Sequence, residues 1–283
     1  MLPLAGCERG VLDPRGPIGA ANKTILIDSL AIMLAIVIPT IVATFAFAWW
    51  YRASNKKARY LPDWEFSGRI ELVVWAIPLM VILLLGGVTW IGSHQLDPAK
   101  PIVSDTPALD IQVVSLDWKW LFIYPEQRVA SVNELVVPAG RPLHFSLTSS
   151  SVMNAFFVPQ LGSMIYTMNG MATELNLHAD EPGVYRGLSA HYSGEGFSDM
   201  HFDVHAVTPE QFASWINKAH EDRKRLDGDN YTALAKQSIN VPPSIYGNVD
   251  IDLFHRVVGN ELAPGPGPET EHHGASQANK GEH

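Results

Sequence analysis

A single cysteine, Cys7, stands among 283 residues, so no internal disulfide framework and no cysteine-rich zinc site can be built. Positive charge is also short. Twenty Lys and Arg face 29 Asp and Glu, for a net charge of −9, and no basic stripe occurs outside one short loop. That balance excludes nucleic acid as a partner. Charge of either sign is missing altogether from residues 29–51 and 72–93. Each run is about 20 residues or slightly more, enough to cross ~30 Å of hydrocarbon at ~1.5 Å per residue. Buried helices of soluble proteins are seldom so apolar on every side.

What is present sharpens this into a two-helix transmembrane hairpin. Pro39 and Pro78 fall inside the runs, where bilayer helices tolerate proline. Trp49, Trp50, Tyr51 and Trp90 sit near the ends, as interfacial aromatics do. Between the runs, Arg52, Lys56, Lys57, Arg59 and Arg69 outnumber Asp63 and Glu65. The positive-inside rule makes that connector cytoplasmic and sends both chain ends to the other side. Cys7 then lies where bacterial lipoproteins are acylated, and Leu4-Ala5-Gly6-Cys7 is similar to their processing site. Only Met1, Leu2 and Pro3 precede it, without the charged and apolar regions of a secretory signal. Acylation of Cys7 is the expectation, an unmodified thiol in a tail the alternative; one acyl chain anchors only weakly.

Glu71, at the threshold of the second run, has two readings. It is a solvated carboxylate favoured by the helix dipole behind a cap at Ser67, or a proton-uptake group facing a partner subunit.

After residue 98 the pattern changes to short alternating or β-branched runs. Residues 111–114, 134–137, 143–147, 173–177 and 201–205 are predicted strands, separated by breaks such as Pro138-Ala139-Gly140 and Glu181-Pro182-Gly183. The result is an all-β Greek-key sandwich or barrel. Thr208-Pro209-Glu210-Gln211 then supplies a cap, an N1 proline and a capping-box glutamine for a helix through Phe212, Trp215, Ile216 and Ala219. A further short helix is expected over 250–258. From residue 263 the composition turns polar and aperiodic, as in disordered tails.

Histidines raise a metal alternative. His201, Asp203 and His205 share one strand face, His191 lies in the facing loop, and His272, His273 and His283 fall in the tail. A stand-alone, membrane-anchored periplasmic metal-binding protein is therefore one reading. A solvated polar face is the other.

A hairpin followed by an exported β domain resembles subunit II of the haem-copper oxidases, over about residues 22–258. The motifs carrying the resemblance are Glu71-Leu72-Val73-Val74-Trp75 with Pro78, Asp117-Trp118-Lys119-Trp120, Val152-Met153-Asn154-Ala155-Phe156-Phe157-Val158-Pro159, Glu181-Pro182-Gly183-Val184-Tyr185, and the loop from Ser189 to Met200. The resemblance implies a cupredoxin-like periplasmic domain. It also implies an organisation of N-terminal segment 1–24, hairpin 25–95, β domain 104–207, helical extension 208–260 and tail 261–283.

Copper-bearing members of that family use two cysteines, two histidines, a methionine and a backbone carbonyl. By the resemblance, Asn154 and Phe197 stand in the histidine positions and Ser189 and Ser193 in the cysteine positions, His191 is a further position of the vacated copper site, and Met200 alone is retained. Serine offers no soft, ionised sulfur and one thioether does not hold copper, so no metal is expected here. The losses are similar to those of the copper-less, quinol-oxidising branch of cytochrome o type. A copper-bearing subunit is the alternative that the missing thiolates oppose. The resemblance implies a non-catalytic subunit of a proton-pumping ubiquinol oxidase in the bacterial inner membrane. By the same resemblance, haems and copper are expected in subunit I, smaller membrane subunits and lipid are expected as further partners, and cytochrome c is not. It implies proton entry at Glu71, and packing beneath the empty loop for Trp118 and Trp120.

Overall fold

The computed structural model describes residues 10–59 and 61–267. Cys7, most of the tail, and His272, His273 and His283 lie outside the described residues, so the expectations placed on them are not addressed by the fold. The described chain forms two units, one built from residues 21–97 and the other from residues up to 20 together with 98 onward.

The first unit is the helix pair. Helix α1 spans Pro17–Trp50 and α2 spans Gly68–Gln95. At ~1.5 Å per residue the 34 residues of α1 reach roughly 51 Å and the 28 of α2 roughly 42 Å, both beyond the ~30 Å that hydrocarbon requires. Their apolar side chains face outward: Phe45, Val74, Trp75 and Leu83 are all well exposed. A helix with apolar residues on every side and no buried stripe is built for lipid or for other membrane helices. At the end of α1, Arg52 and Asn55 cap orphan carbonyls, donating to Trp49 O at 2.8 Å and Trp50 O at 2.6 Å. The Arg52 guanidinium also stacks over the Trp49 ring at 4.8 Å.

α1 begins earlier than residue 25, where the sequence places the hairpin. Pro17 opens it with the preset φ of an N1 proline, and Lys23 and Asp28 fall inside the helix ahead of the apolar run. Residues before 21 belong to the β unit. Arg15 is bonded there on both sides, its N–H to Gln160 O at 2.7 Å and its carbonyl to Asp180 N at 2.9 Å. A Cβ on Gly16 would lie 2.1 Å from His178 O, so the chain passes this point only as glycine.

The β unit is a sandwich with β1 at Leu109–Leu116, β2 at Lys119–Tyr124, β3 at Val129–Val132, β4 at Glu134–Pro138 and β5 at Pro142–Ser149. β6 (Asn154–Phe157), β7 (Ile165–Thr167), β8 (Thr173–His178), β9 (Gly183–Ser189) and β10 (His201–Val207) follow. Beyond them come α3 (Pro209–Glu221), β11 (Arg225–Leu226), α4 (Gly228–Leu234), β12 (Ser244–Tyr246), β13 (Asn248–Val249) and α5 (Leu253–Val258). The first sheet has the order β12-β3-β2-β1-β5-β8, the second β4-β10-β9-β6-β7, and β11 and β13 form a separate two-stranded pair. Every strand predicted from sequence falls within an observed one. The capping box also forms, Thr208 accepting from Gln211 N–H and Gln211 accepting from Thr208 N–H.

Between the sheets lies an aromatic core of Trp120, Phe122, Phe145, Phe156 and Phe202. Phe156 and Phe202 stack at 5.2 Å, and Trp120 meets both edge-on at 5.4 and 5.7 Å. Burying each phenylalanine contributes about 2 kcal/mol. The opposite face of the first sheet is covered as well. Val114, Leu116, Leu121 and Ile123 pack against Leu226, Tyr231, Val249, Leu253 and Phe254 of the C-terminal extension, making a second core. Burial pushes the Tyr231 hydroxyl up to about 12. Around β2 the sheet is covered on both faces, which explains the near-continuous apolar run Trp120–Tyr124.

Candidate functional site

The loop between β9 and β10 is closed at its base by the ladder itself. Leu188 pairs with His201, and Ser189 N–H donates to Met200 O at 3.0 Å. β6 runs alongside, with Phe156 opposite Ser189 and Ala190 N–H donating to Ala155 O at 2.9 Å. Three chain segments thereby bring Asn154, Ser189, Ser193 and Met200 to one buried place.

What fills that place is a network of oxygens and amides. Ser189 Oγ lies 3.1 Å from Asn154 Oδ1 and 3.2 Å from the His191 carbonyl, two acceptors for its one proton. Asn154 Nδ2 donates to Ser115 Oγ at 3.4 Å and to Val152 O at 3.3 Å. Ser115 and Thr167 join their hydroxyls at 2.9 Å, and Thr167 Oγ1 also donates to Asn154 O at 3.3 Å. Ser193 Oγ sits 4.0 Å from the Met200 sulfur. Buried polar groups are costly unless bonded, and these bond to one another.

This donor set does not fit a pair of copper ions. Hydroxyls and a carboxamide are hard, neutral ligands, and Met200 is the only soft one. The His191 imidazole packs edge-on to Tyr166 at 5.8 Å, and Phe197 packs edge-on to Tyr192 at 5.6 Å. Among the described residues no group of three or more His, Cys, Asp or Glu is placed to hold a metal. His201, Asp203 and His205 do share a face of β10, but His205 Nε2 points to Glu134 Oε1 at 3.5 Å on the neighbouring β4.

Trp118 lies directly against the loop. Its indole N–H donates to Ser193 O at 3.0 Å, and its ring leaves no room for a side chain at Gly196, where a Cβ would fall 2.5 Å away. Its backbone is left-handed at φ 64°, which for a bulky residue costs on the order of 1–3 kcal/mol. Asp117 holds this turn from behind: the Ser151 hydroxyl donates to Oδ1 and the Gly267 N–H to Oδ2 at 2.9 Å. Trp120 lies in the aromatic core, its ring nitrogen without a partner among the described residues. A cavity of about 530 Å³ opens beside Trp118, walled also by residues of the loop and by Gln237 of the extension.

Glu71 sits in the first turn of α2, exposed, its N–H bonded to Ser67 O at 3.0 Å. Ser67 occupies the N-cap position but its side chain makes no capping bond. Sequence reasoning did not find Ser115, Thr167 or Gln237. Single polar residues inside apolar strands or loops carry no spacing signal.

Residues 109–207 match the family model described as cytochrome c oxidase subunit II, periplasmic domain, and residues 220–263 match the COX aromatic rich motif. The chain is 47% identical over 283 residues to cytochrome bo(3) ubiquinol oxidase subunit 2 of Pseudomonas aeruginosa, covering 100% of this chain and 83% of that one. It is 49% identical over 259 residues to ubiquinol oxidase subunit 2 of Acetobacter aceti, covering 91% and 84%. It is 44% identical over 257 residues to cytochrome bo(3) ubiquinol oxidase subunit 2 of Buchnera aphidicola, covering 90% and 89%.

Proposed function

The chain belongs to the ubiquinol oxidase subunit 2 family, and from that membership we infer that it is the non-catalytic, copper-less subunit of a terminal ubiquinol oxidase. The complex oxidises ubiquinol and reduces dioxygen to water, with its haems and copper in subunit I. This chain docks that subunit through α1 and α2, beside smaller membrane subunits, and holds its β domain on the periplasmic side of the inner membrane. The cationic connector at 52–69 supports that orientation. Cys7 is acylated at the same side. Glu71, at the cytoplasmic end of α2, is the entrance for protons drawn into the partner.

The observation that carries this reading is the Ser189–Asn154–Ser115–Thr167 network, which occupies with oxygen and nitrogen the place where a copper pair would need thiolate. An electron arriving from a soluble cytochrome would find no carrier in this domain. Electrons therefore enter from quinol within the membrane.

The test is copper loading of the full chain in detergent, followed by desalting. The reading expects a colourless protein without stoichiometric copper. Strong visible absorption from thiolate or imidazole coordination would overturn it.

A further inference from the structure

We propose that the cavity beside Trp118 is a binding site for a small organic cation, an alkylammonium or guanidinium compound, on the periplasmic face of the domain. The cavity measures about 530 Å³, within the range of small-molecule sites. Its walls are acceptor-rich and aromatic. Trp118 and Tyr192 offer rings, Met153 a thioether and His191 an imidazole; among the described residues Glu195 is the one carboxylate and neither lysine nor arginine lines it.

The Trp118 and Gln237 sides of that wall are held by the fold. Trp118 is held by its bond to Ser193 O, by Gly196 against its ring, and by a left-handed backbone. The Gln237 side-chain amide donates to Gly267 O, leaving its carbonyl oxygen as the acceptor end, and Gly267 is tied in turn to Asp117. Tyr192 packs on Phe197 and His191 on Tyr166. Backbone strain that persists beside a cavity is a mark of a used site, and a preformed wall reduces the ordering cost of binding. Aromatic side chains beside a carboxylate, with no lysine or arginine among the described lining residues, favour positive charge over neutral or anionic ligands. The packing role of Trp118 beneath the loop does not require an open cavity at its edge. The cation site accounts for both.

The experiment is saturation-transfer NMR on the purified oxidase complex, with choline as probe and its neutral isostere 3,3-dimethyl-1-butanol as control. The site predicts saturable transfer to choline, with the neutral isostere at least about tenfold weaker. Glu195→Gln, an exposed position that leaves the fold intact, weakens choline binding severalfold, and Tyr192→Ala does the same through the aromatic wall. Equal binding of choline and its isostere would overturn the proposal. So would choline binding unchanged in both variants, or no saturable binding at all.

Discussion

Ser189 Oγ donates to Asn154 Oδ1 across 3.1 Å, joining the end of β9 to the start of β6 inside the β sandwich. The two residues are 35 apart in the chain, and both stand where the resemblance to copper-bearing oxidase subunits would put a ligand. Hydroxyls and a carboxamide fasten the two strands at this point.

Removing the hydroxyl tests that statement. Ser189→Ala leaves Asn154 Oδ1 buried without its donor, at a cost of about 1–3 kcal/mol. The denaturation midpoint of the β domain, followed by tryptophan fluorescence in the full chain, falls accordingly. Quinol oxidation by the assembled complex is unaffected, because the network carries no electrons.

Rebuilding the ligand set tests the frame. The loop is closed by Ser189 N–H to Met200 O, so its ends are held independently of any metal. The combined substitution Asn154→His, Ser189→Cys, Ser193→Cys and Phe197→His, with Met200 retained, is expected to bind copper and develop strong visible absorption. Each substitution alone stays colourless.

Lys119 gives the β domain a specific pH response. Its Nζ donates to Lys236 O at 2.6 Å and to the Ser238 hydroxyl, in a site where burial lowers its pKa from 10.5 to about 8 against the opposing pull of Asp117. Between about pH 8 and 10.5 the unfolded chain holds a proton there that the folded chain does not, so this residue makes stability rise with pH. Lys119→Met lacks that rise. Denaturation midpoints at about pH 7 and about pH 10 show the wild type gaining on the variant as pH increases.

Much of this architecture was legible in the chain itself. The uncharged runs marked the helices, alternation marked β4, β5, β8 and β10, and Thr208 with Gln211 marked the start of α3. The β9–β10 loop could be located because Ser189, Ser193 and Met200 keep a motif's spacing. The second core could not be read. Leu226, Tyr231, Val249 and Leu253 are spread through short elements with no period, and only the folded chain shows that they cover Val114, Leu116, Leu121 and Ile123. Ser115 and Thr167 were hidden for a related reason: a lone hydroxyl in a strand signals nothing until its partner is known. The start of α1 at Pro17 was obscured by Lys23 and Asp28, which hydropathy reads as the edge of a span although the helix runs through them.

Glu71 is the acidic residue in the first turn of α2, where proton entry is proposed. Glu71→Gln keeps the side-chain size and the helix while removing the titrating group. Turnover of the assembled complex is expected to slow severalfold with the amount of complex unchanged. Wild-type turnover would leave Glu71 as a solvated helix-end carboxylate.

The central claim is that electrons do not pass through this chain. Its most direct test is oxygen uptake by the complex purified through a tag on this subunit, fed separately with ubiquinol and with reduced cytochrome c. The account predicts fast, cyanide-sensitive uptake with ubiquinol and only background with cytochrome c. Sustained uptake with cytochrome c would mean that the domain retains an electron port, and would contradict it.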